Sequence, residues 1–252
     1  DGFYTVDDFK PFDSKSRTWT LKDGVVNSSP LSGDPRPGNA KFKKLTPVDE
    51  NSANPYTLTD DDRTVIGNTT PKFSGGFGLN ATFKGFDVSA FFNFMYDFDV
   101  FNANKVMMTT WASNNYNNFS MDISAAKRWR NFDDMGNEIR YSPEILAEFN
   151  KNATMWNPTS IGRPIAMSYA VEDGSFLRLN TATIGYTLPR AWTNKVGLSR
   201  VRFYASGYNL FTITGYSGYD PEVDIATGLT PNIDNNRYPR SRTYTFGVQL
   251  TF

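Results

Sequence analysis

Strict alternation of apolar and polar residues near the end of the chain restricts its fold more than any other feature. Within residues 241–252, every second residue from Tyr244 to Phe252 is apolar, and the residues between them are threonine, glycine or glutamine. Because successive side chains of a strand point to opposite faces, this pattern predicts a β-strand with one apolar face and one small, polar face. A strand of a membrane-spanning barrel needs roughly 9–11 residues with its apolar side toward lipid. The length fits, and the apolar residue Phe252 at the end favours a barrel over a soluble sandwich.

A second alternating pattern predicts a long β-hairpin. Apolar residues alternate through 73–83, Lys84-Gly85 turns the chain, and the alternation returns through 86–98. The opposite face is small and polar, interrupted by Phe91 and Met95. Strands of this length exceed the roughly 5–6 residues of an average strand and are typical of an up-and-down barrel.

Six spanning strands are predicted in all, joined by connections that alternate between long and short. The predicted strands are residues 1–9, 73–83, 86–100, 176–188, 200–213 and 241–252. The long connections, 12–70, 101–169 and 215–239, are typical of extracellular loops, because periplasmic turns of outer-membrane barrels are short. Six strands cannot close a transmembrane barrel, since the smallest have about eight, and an open edge in lipid leaves backbone groups unsatisfied. We therefore predict an all-β fold that forms the last part of a larger barrel, with Asp1 inside a longer protein.

Composition excludes several classes of function. Lys plus Arg and Asp plus Glu number 26 each, so there is no basic excess of the kind that binds nucleic acid. The absence of histidine and cysteine excludes a Ser-His-Asp triad, a His-ligated zinc site and a disulfide framework within this chain. No spacing suggests another nucleophile arrangement, so we predict that the chain is not an enzyme.

The first long loop contains two local features. Lys22-Asp23-Gly24 lies between β-forming residues and predicts a type I′ hairpin that joins 18–21 to 25–26. The triplet Asp60-Asp61-Asp62 has two interpretations: a weak site for a hard cation such as calcium, or a solvated turn capped by Asp60 or Asp62. The capping interpretation is favoured, and no cofactor is otherwise expected.

Several phrases of the sequence occur in the order of a known family. They are DDRTVIGN at 61–68, KGFDVSAFF at 84–92, DGSFLRL at 173–179, GYTLP at 185–189, YNLFT at 208–212, GYDPE at 218–222 and YPRSRTY at 238–244. On these residues the chain resembles the C-terminal region of the SusC/RagA-like TonB-dependent transporters of Bacteroidetes outer membranes. It departs from that family at Asn39, where an aspartate is usual, and in residues 49–55, where an Asp- and Gly-rich stretch is common.

The resemblance implies a function in nutrient uptake. It implies a multi-pass, 22-stranded barrel in the bacterial outer membrane, with a plug and a TonB box upstream of Asp1. The barrel would be capped by a SusD-like surface lipoprotein, energised by TonB, and used to import oligosaccharides or peptides. The resemblance also implies that Phe252 is the aromatic signal that the barrel-assembly machinery recognises.

Five aromatic residues of the loops are candidate contacts for the cargo. They are Trp111, Tyr116, Trp129, Tyr216 and Tyr219. Aromatic rings with amides nearby bind sugars and peptide backbones equally well, so the cargo stays open between glycan and peptide. The alternative role of each ring is packing of the loops. The alternative function of the chain is a soluble glycan-binding β-sandwich, which predicts strands of about 5–6 residues with buried apolar faces.

Overall fold

The computed structural model describes residues 2–111, 119–161, 165–223 and 231–252, which form two compact units. The loop unit consists of Asp1–Val65 and Ala103–Ala170, and the sheet unit consists of Ile66–Asn102 and Val171–Phe252. Within the described residues, no helix combines the length and the hydropathy needed to cross a bilayer.

Strands dominate the regular structure. In chain order they are β1 (Gly2–Phe3), β2 (Ala40–Lys41), β3 (Phe73–Phe83), β4 (Phe86–Tyr96), β5 (Asp99–Asn102), β6 (Val171–Asp173), β7 (Phe176–Thr187), β8 (Arg200–Thr214), β9 (Ile233–Asp234) and β10 (Thr243–Thr251). The α-helices are short: α1 (Ser29–Ser32), α2 (Ala103–Met107), α3 (Pro143–Phe149) and α4 (Arg190–Thr193). Single 3-10 turns lie at Val6–Asp8, Asp60–Asp62, Met121–Ile123, Pro158–Ser160, Ser168–Ala170 and Asn194–Val196.

The main sheet of the sheet unit is antiparallel, in the order β10-β8-β7-β4-β3. Its register places apolar residues opposite one another: Phe77 pairs with Phe92, and Phe203 pairs with Val248. This apolar face is open to solvent, with Phe246 80% exposed. An exposed apolar face is what a lipid-facing barrel wall presents, and a buried one is what a sandwich would require. The strands also have 9 to 15 residues, longer than the sandwich alternative predicts.

Two local conformations keep the apolar face continuous. Lys84 and Gly85 both have positive φ, 45° and 89°, as a type I′ turn requires, so β3 and β4 pair directly. Asn180 is an extra residue of β7 relative to β4, and the register of β7 against β8 shifts at the same position. Because the side-chain period of a strand is two, this extra residue returns Leu177 and Leu179 to the apolar face. It also turns Arg178 to the polar face.

The prediction of a spanning strand over residues 1–9 is wrong. Only Gly2–Phe3 forms a strand, and this strand pairs with β2 in the loop unit. Tyr4 is fully buried, and Thr5 and Asp8 form a capping box in which the amide of Thr5 donates to the Asp8 carboxylate over 2.8 Å. A capping box starts a helical turn, which explains why the apparent alternation does not continue as a strand.

The predicted strand over 86–100 is also wrong beyond Tyr96. Asp97 has a φ of 60°, which takes the backbone out of the extended conformation, and its amide donates to the Ser175 hydroxyl over 2.9 Å. The chain therefore leaves the main sheet and continues as β5 of a separate sheet with β6 and β9. The other predicted strands differ from β3, β7, β8 and β10 by at most two residues at either end.

The predicted hairpin around Lys22-Asp23-Gly24 does not form. Of these three residues only Gly24 has positive φ, whereas a type I′ turn needs positive φ at both central residues. Instead, the segment before the turn pairs with an earlier part of the chain, through an antiparallel bridge between Leu21 and Phe9. Trp19 explains this choice, because its ring packs against Phe9 at a centroid distance of 5.5 Å.

Each unit has its own apolar core. In the loop unit, the core is built on Trp129, Ile139 and Leu146, with Phe3 and Trp19 packed against them. In the sheet unit, a second core contains Phe98, Val100, Phe176, Tyr216 and Val223.

Candidate functional site

Two of the five candidate aromatic residues are core residues. Trp129 is 3% exposed and packs against Phe3 and against Gly38, where a Cβ atom would lie 2.1 Å from the indole. Tyr216 is 6% exposed, and its hydroxyl donates to the Asp234 carboxylate over 2.7 Å. Burial, and then this hydrogen bond, raise the pKa of Tyr216 well above its ordinary value. Both side chains therefore have the packing role in this structure.

The remaining candidates differ in position. Trp111 is half-exposed in the loop unit, beside the ring of Phe119 at 5.7 Å, and Tyr219 is 85% exposed in the sheet unit. Both offer ring surface to a ligand. Tyr116 lies outside the described residues. Phe252 follows β10 with its side chain exposed, and its role in assembly stays a prediction.

The acidic triplet forms a capped 3-10 turn, in which the three carboxylates differ. Asp60 pairs with Arg63 at the surface, and Asp61 is exposed. Asp62 points inward and accepts hydrogen bonds from Leu45 N, Thr46 N, Thr46 Oγ1, Thr59 N and Lys44 Nζ at 2.7–3.2 Å. Burial acts to raise the pKa of Asp62, but these hydrogen bonds together outweigh it and hold the pKa well below its usual range. The Asp62 carboxylate is therefore occupied by protein donors, as the capping interpretation requires.

A fully buried charged group of the sheet unit was not singled out from the sequence. Arg178 on β7 is 2% exposed, donates to the Asp220 carboxylate, and forms an ion pair of 3.1 Å with Glu222. Its Nε donates to Thr212 on β8 over 3.0 Å, and Arg240 closes the cluster on Glu222 at 2.7 Å. We call these residues the arginine cluster.

The arginine cluster gives three of the matching phrases one structural role. DGSFLRL supplies Arg178, GYDPE supplies Asp220 and Glu222, and YPRSRTY supplies Arg240. Asp220, Glu222 and Arg240 lie in the long connection between β8 and β10, so the cluster fastens that connection to the sheet. In the sequence, the signal for this cluster was an arginine inside an alternating strand, because an arginine that is buried needs a partner.

The polar face of the main sheet is lined by side chains that lie across glycines of a neighbouring strand. Arg202 reaches over Gly185 to pair with Asp87, and a Cβ at Gly185 would lie 2.4 Å from its guanidinium. In the same way, the ring of Tyr204 covers Gly247, where a Cβ would lie 2.4 Å from the ring. Gly185 and Gly247 are thus required by packing between strands.

Comparison with proteins of known sequence finds receptors of one kind. The chain is 32% identical over 228 residues to TonB-dependent receptor P3 of Formosa agariphila, covering 88% of this chain and 20% of that protein. It is 32% identical over 164 residues to TonB-dependent receptor SusC of Bacteroides thetaiotaomicron, covering 60% of this chain and 15% of SusC. The chain belongs to the SusC/RagA-like TonB-dependent receptors. It spans about a fifth of the length of such relatives, and no protein-family model matches it.

Solved structures agree with this receptor fold. The RagAB peptide importer in its open-open state superimposes with a TM-score of 0.58 at 24% identity, over 85% of this chain and 21% of that one. Its closed-closed state gives a TM-score of 0.57 at 22% identity, over the whole of this chain and 22% of that one. Receptors of this family are β-barrels of the bacterial outer membrane, and the main sheet of this chain is a segment of such a barrel wall.

Proposed function

We propose that the full-length receptor imports large nutrients, oligosaccharides or peptides, across the outer membrane. In this proposal a SusD-like surface lipoprotein captures the cargo, and TonB supplies energy through a part of the receptor outside this chain. The observation that carries the proposal is the two-faced main sheet. Its apolar face suits contact with lipid, and its glycine-rich polar face suits the lining of a passage. In this proposal the chain forms part of a barrel wall, a role that requires no catalytic group.

The loop connections supply the surface that would meet the cargo. Trp111 and Tyr219 present exposed rings, and rings of this kind bind sugars or peptides through their faces. Trp129 and Tyr216 are left out of this role because they are buried. The cargo of the RagAB importer is peptide, whereas nothing in the two exposed rings prefers peptide to glycan.

The proposal is tested in cells that produce the full-length receptor from its own gene. Growth on single oligosaccharides and on peptides is compared between the parent strain, a receptor deletion and a TonB deletion. We expect both deletions to abolish growth on the same nutrient, and the tagged receptor to copurify with a surface lipoprotein. Growth that is unchanged on every nutrient after receptor deletion would contradict an import function.

A matched pair of variants links this function to the structure. Val248 and Gln249 are neighbours on β10 that face opposite sides of the sheet. An arginine facing lipid near the bilayer midplane costs about 2–4 kcal/mol, whereas one facing the lumen costs little. We therefore expect Val248→Arg to lower receptor assembly and nutrient uptake together, and Gln249→Arg to leave both near the parent level. Equal assembly of the two variants would show that the faces are assigned wrongly.

A further inference from the structure

A polar groove of about 510 Å³ lies wholly within the loop unit. Residues 17–19, 32–39 and 131–146 form most of its lining, with Thr159 and Ser160 on the remaining side. Its volume is in the range of roughly 300–1,000 Å³ that small-molecule sites have. None of the candidate aromatic residues lines it, so it is distinct from the contacts considered above.

Positive charge dominates this groove. Arg17, Arg36 and Arg140 line it, and Asp34 is the one carboxylate among its lining residues. Arg140 is paired with Glu138, which lies outside the lining. Within the described parts of the chain, neither Arg17 nor Arg36 has an acidic side chain at ion-pair distance. Unpaired guanidinium groups in a concave site bind carboxylate or sulfate through two parallel hydrogen bonds.

Two contacts hold parts of the groove in place. Ser160 is 6% exposed, and its hydroxyl accepts a hydrogen bond of 3.3 Å from the Ala40 amide, which joins the two sides of the lining. Arg17 is held with its guanidinium 5.3 Å above the ring of Tyr141. A guanidinium fixed on an aromatic ring keeps its outer N–H groups directed to a ligand and loses little entropy on binding.

The remaining lining groups favour a sugar over a peptide. Hydroxyls of Thr18, Thr159 and Ser32 and the amide of Asn131 line the groove together with the arginines, and polar groups provide most of its surface. Such groups suit a ligand with many hydroxyls. The ring of Tyr141 stacks on Phe12 and lies beside the guanidinium groups of Arg17 and Arg140. Recognition of an anionic group here therefore depends on charge and hydrogen bonds.

We propose that this groove binds an acidic sugar unit, carboxylated or sulfated, with Arg17 and Arg36 holding its anionic group. Treating that sugar as part of the imported nutrient rests on the import function proposed above. An acidic peptide is the competing ligand, and the test distinguishes the two.

The test measures binding to the full-length receptor purified in detergent, by titration calorimetry. The probes are trigalacturonate for the carboxylate, a sulfated trisaccharide for the sulfate, neutral maltotriose, and a tetraglutamate peptide. We expect one or both acidic sugars to bind, with Kd at least about tenfold weaker in the double variant Arg17→Gln/Arg36→Gln, since hydrogen bonds between charged groups contribute that much. Lys43→Gln is the control, because it removes an exposed cation of the same unit that does not line the groove. The affinity should also fall as salt is raised.

Other outcomes overturn the proposal. Equal Kd for the double variant and the parent, binding of maltotriose as tight as that of the acidic sugars, or preference for tetraglutamate would each do so. Limited proteolysis of both variants checks that the loop unit stays folded. If nutrient uptake depends on the receptor while acidic sugars do not bind, only the groove is wrongly assigned. If acidic sugars bind with the expected arginine dependence but uptake does not depend on the receptor, the import function is wrong and the groove stands.

Discussion

Replacement of Arg178 by methionine tests whether the arginine cluster fastens the connection between β8 and β10 to the sheet. Removing one partner of a buried ion pair costs about 3–5 kcal/mol, because the other charge stays buried and uncompensated. Glu222 keeps Arg240 at 2.7 Å, and Asp220 keeps a hydrogen bond of 3.0 Å from the Glu222 amide. Only the charge of Asp220 is therefore left without a cation. We expect Arg178→Met to lower the stability of this region by about 3 kcal/mol, the lower end of that range.

The loss of stability should be local, confined to the connection between β8 and β10 that the cluster fastens. In the purified full-length receptor, about 3 kcal/mol corresponds to amide hydrogen exchange faster by about two orders of magnitude in residues 215–223. Adding Asp220→Asn to Arg178→Met removes the stranded charge and should slow the exchange again. Arg202→Met is the matched control, because it removes an arginine of the same sheet whose partner, Asp87, lies on β4 and not in the connection. Unchanged exchange in Arg178→Met, or equal acceleration in both variants, would refute the anchoring role.

Two further predictions concern the capped turn and the glycines. Asp62→Asn should destabilise the loop unit by about 1.5–3 kcal/mol, measured by local hydrogen exchange, whereas Asp61→Asn should have almost no effect. Because the pKa of Asp62 is lowered by folding, its contribution is complete above the unfolded pKa of about 3.9 and is lost as the pH falls below it, and Asp62→Asn should lack that loss. Gly185→Ala should reduce the amount of assembled receptor, since its Cβ would displace Arg202. Gly78→Ala, whose Cβ meets nothing nearer than 3.7 Å, should assemble normally.

Alternation predicted the main sheet well because one face of every strand is apolar. A shift by one residue would turn that whole set of side chains to the wrong face, so the pattern restricts both the strands and their register. It failed where a single residue redirects the backbone. Asp97 is left-handed and ends β4, yet an aspartate between a tyrosine and a phenylalanine looks like one more polar residue of the same strand.

The loop unit could not be predicted in the same way. Its contacts join residues that are far apart in sequence, such as the Ala40 amide and the Ser160 hydroxyl, and no local period encodes them. Trp129 illustrates the consequence for the site. A tryptophan in a polar loop is equally suited to a core or to a ligand, and only the position of Gly38 under its ring places it in the core. The arginines of the groove carried no signal at all, because residues 17, 36 and 140 meet only in the folded unit.

The glycines under Arg202 and Tyr204 have a consequence for the bore of the receptor. A long side chain on the inner surface of a barrel normally stands upright and narrows the passage by its own length. Here Gly185 and Gly247 leave space for the side chains of Arg202 and Tyr204 to lie parallel to the sheet. The surface therefore protrudes little, although it still presents a guanidinium and a phenol. For the import function proposed above, the clearance for a bulky nutrient would then be determined by two residues that have no side chain, and a methyl group on either glycine would narrow the passage by displacing its neighbour.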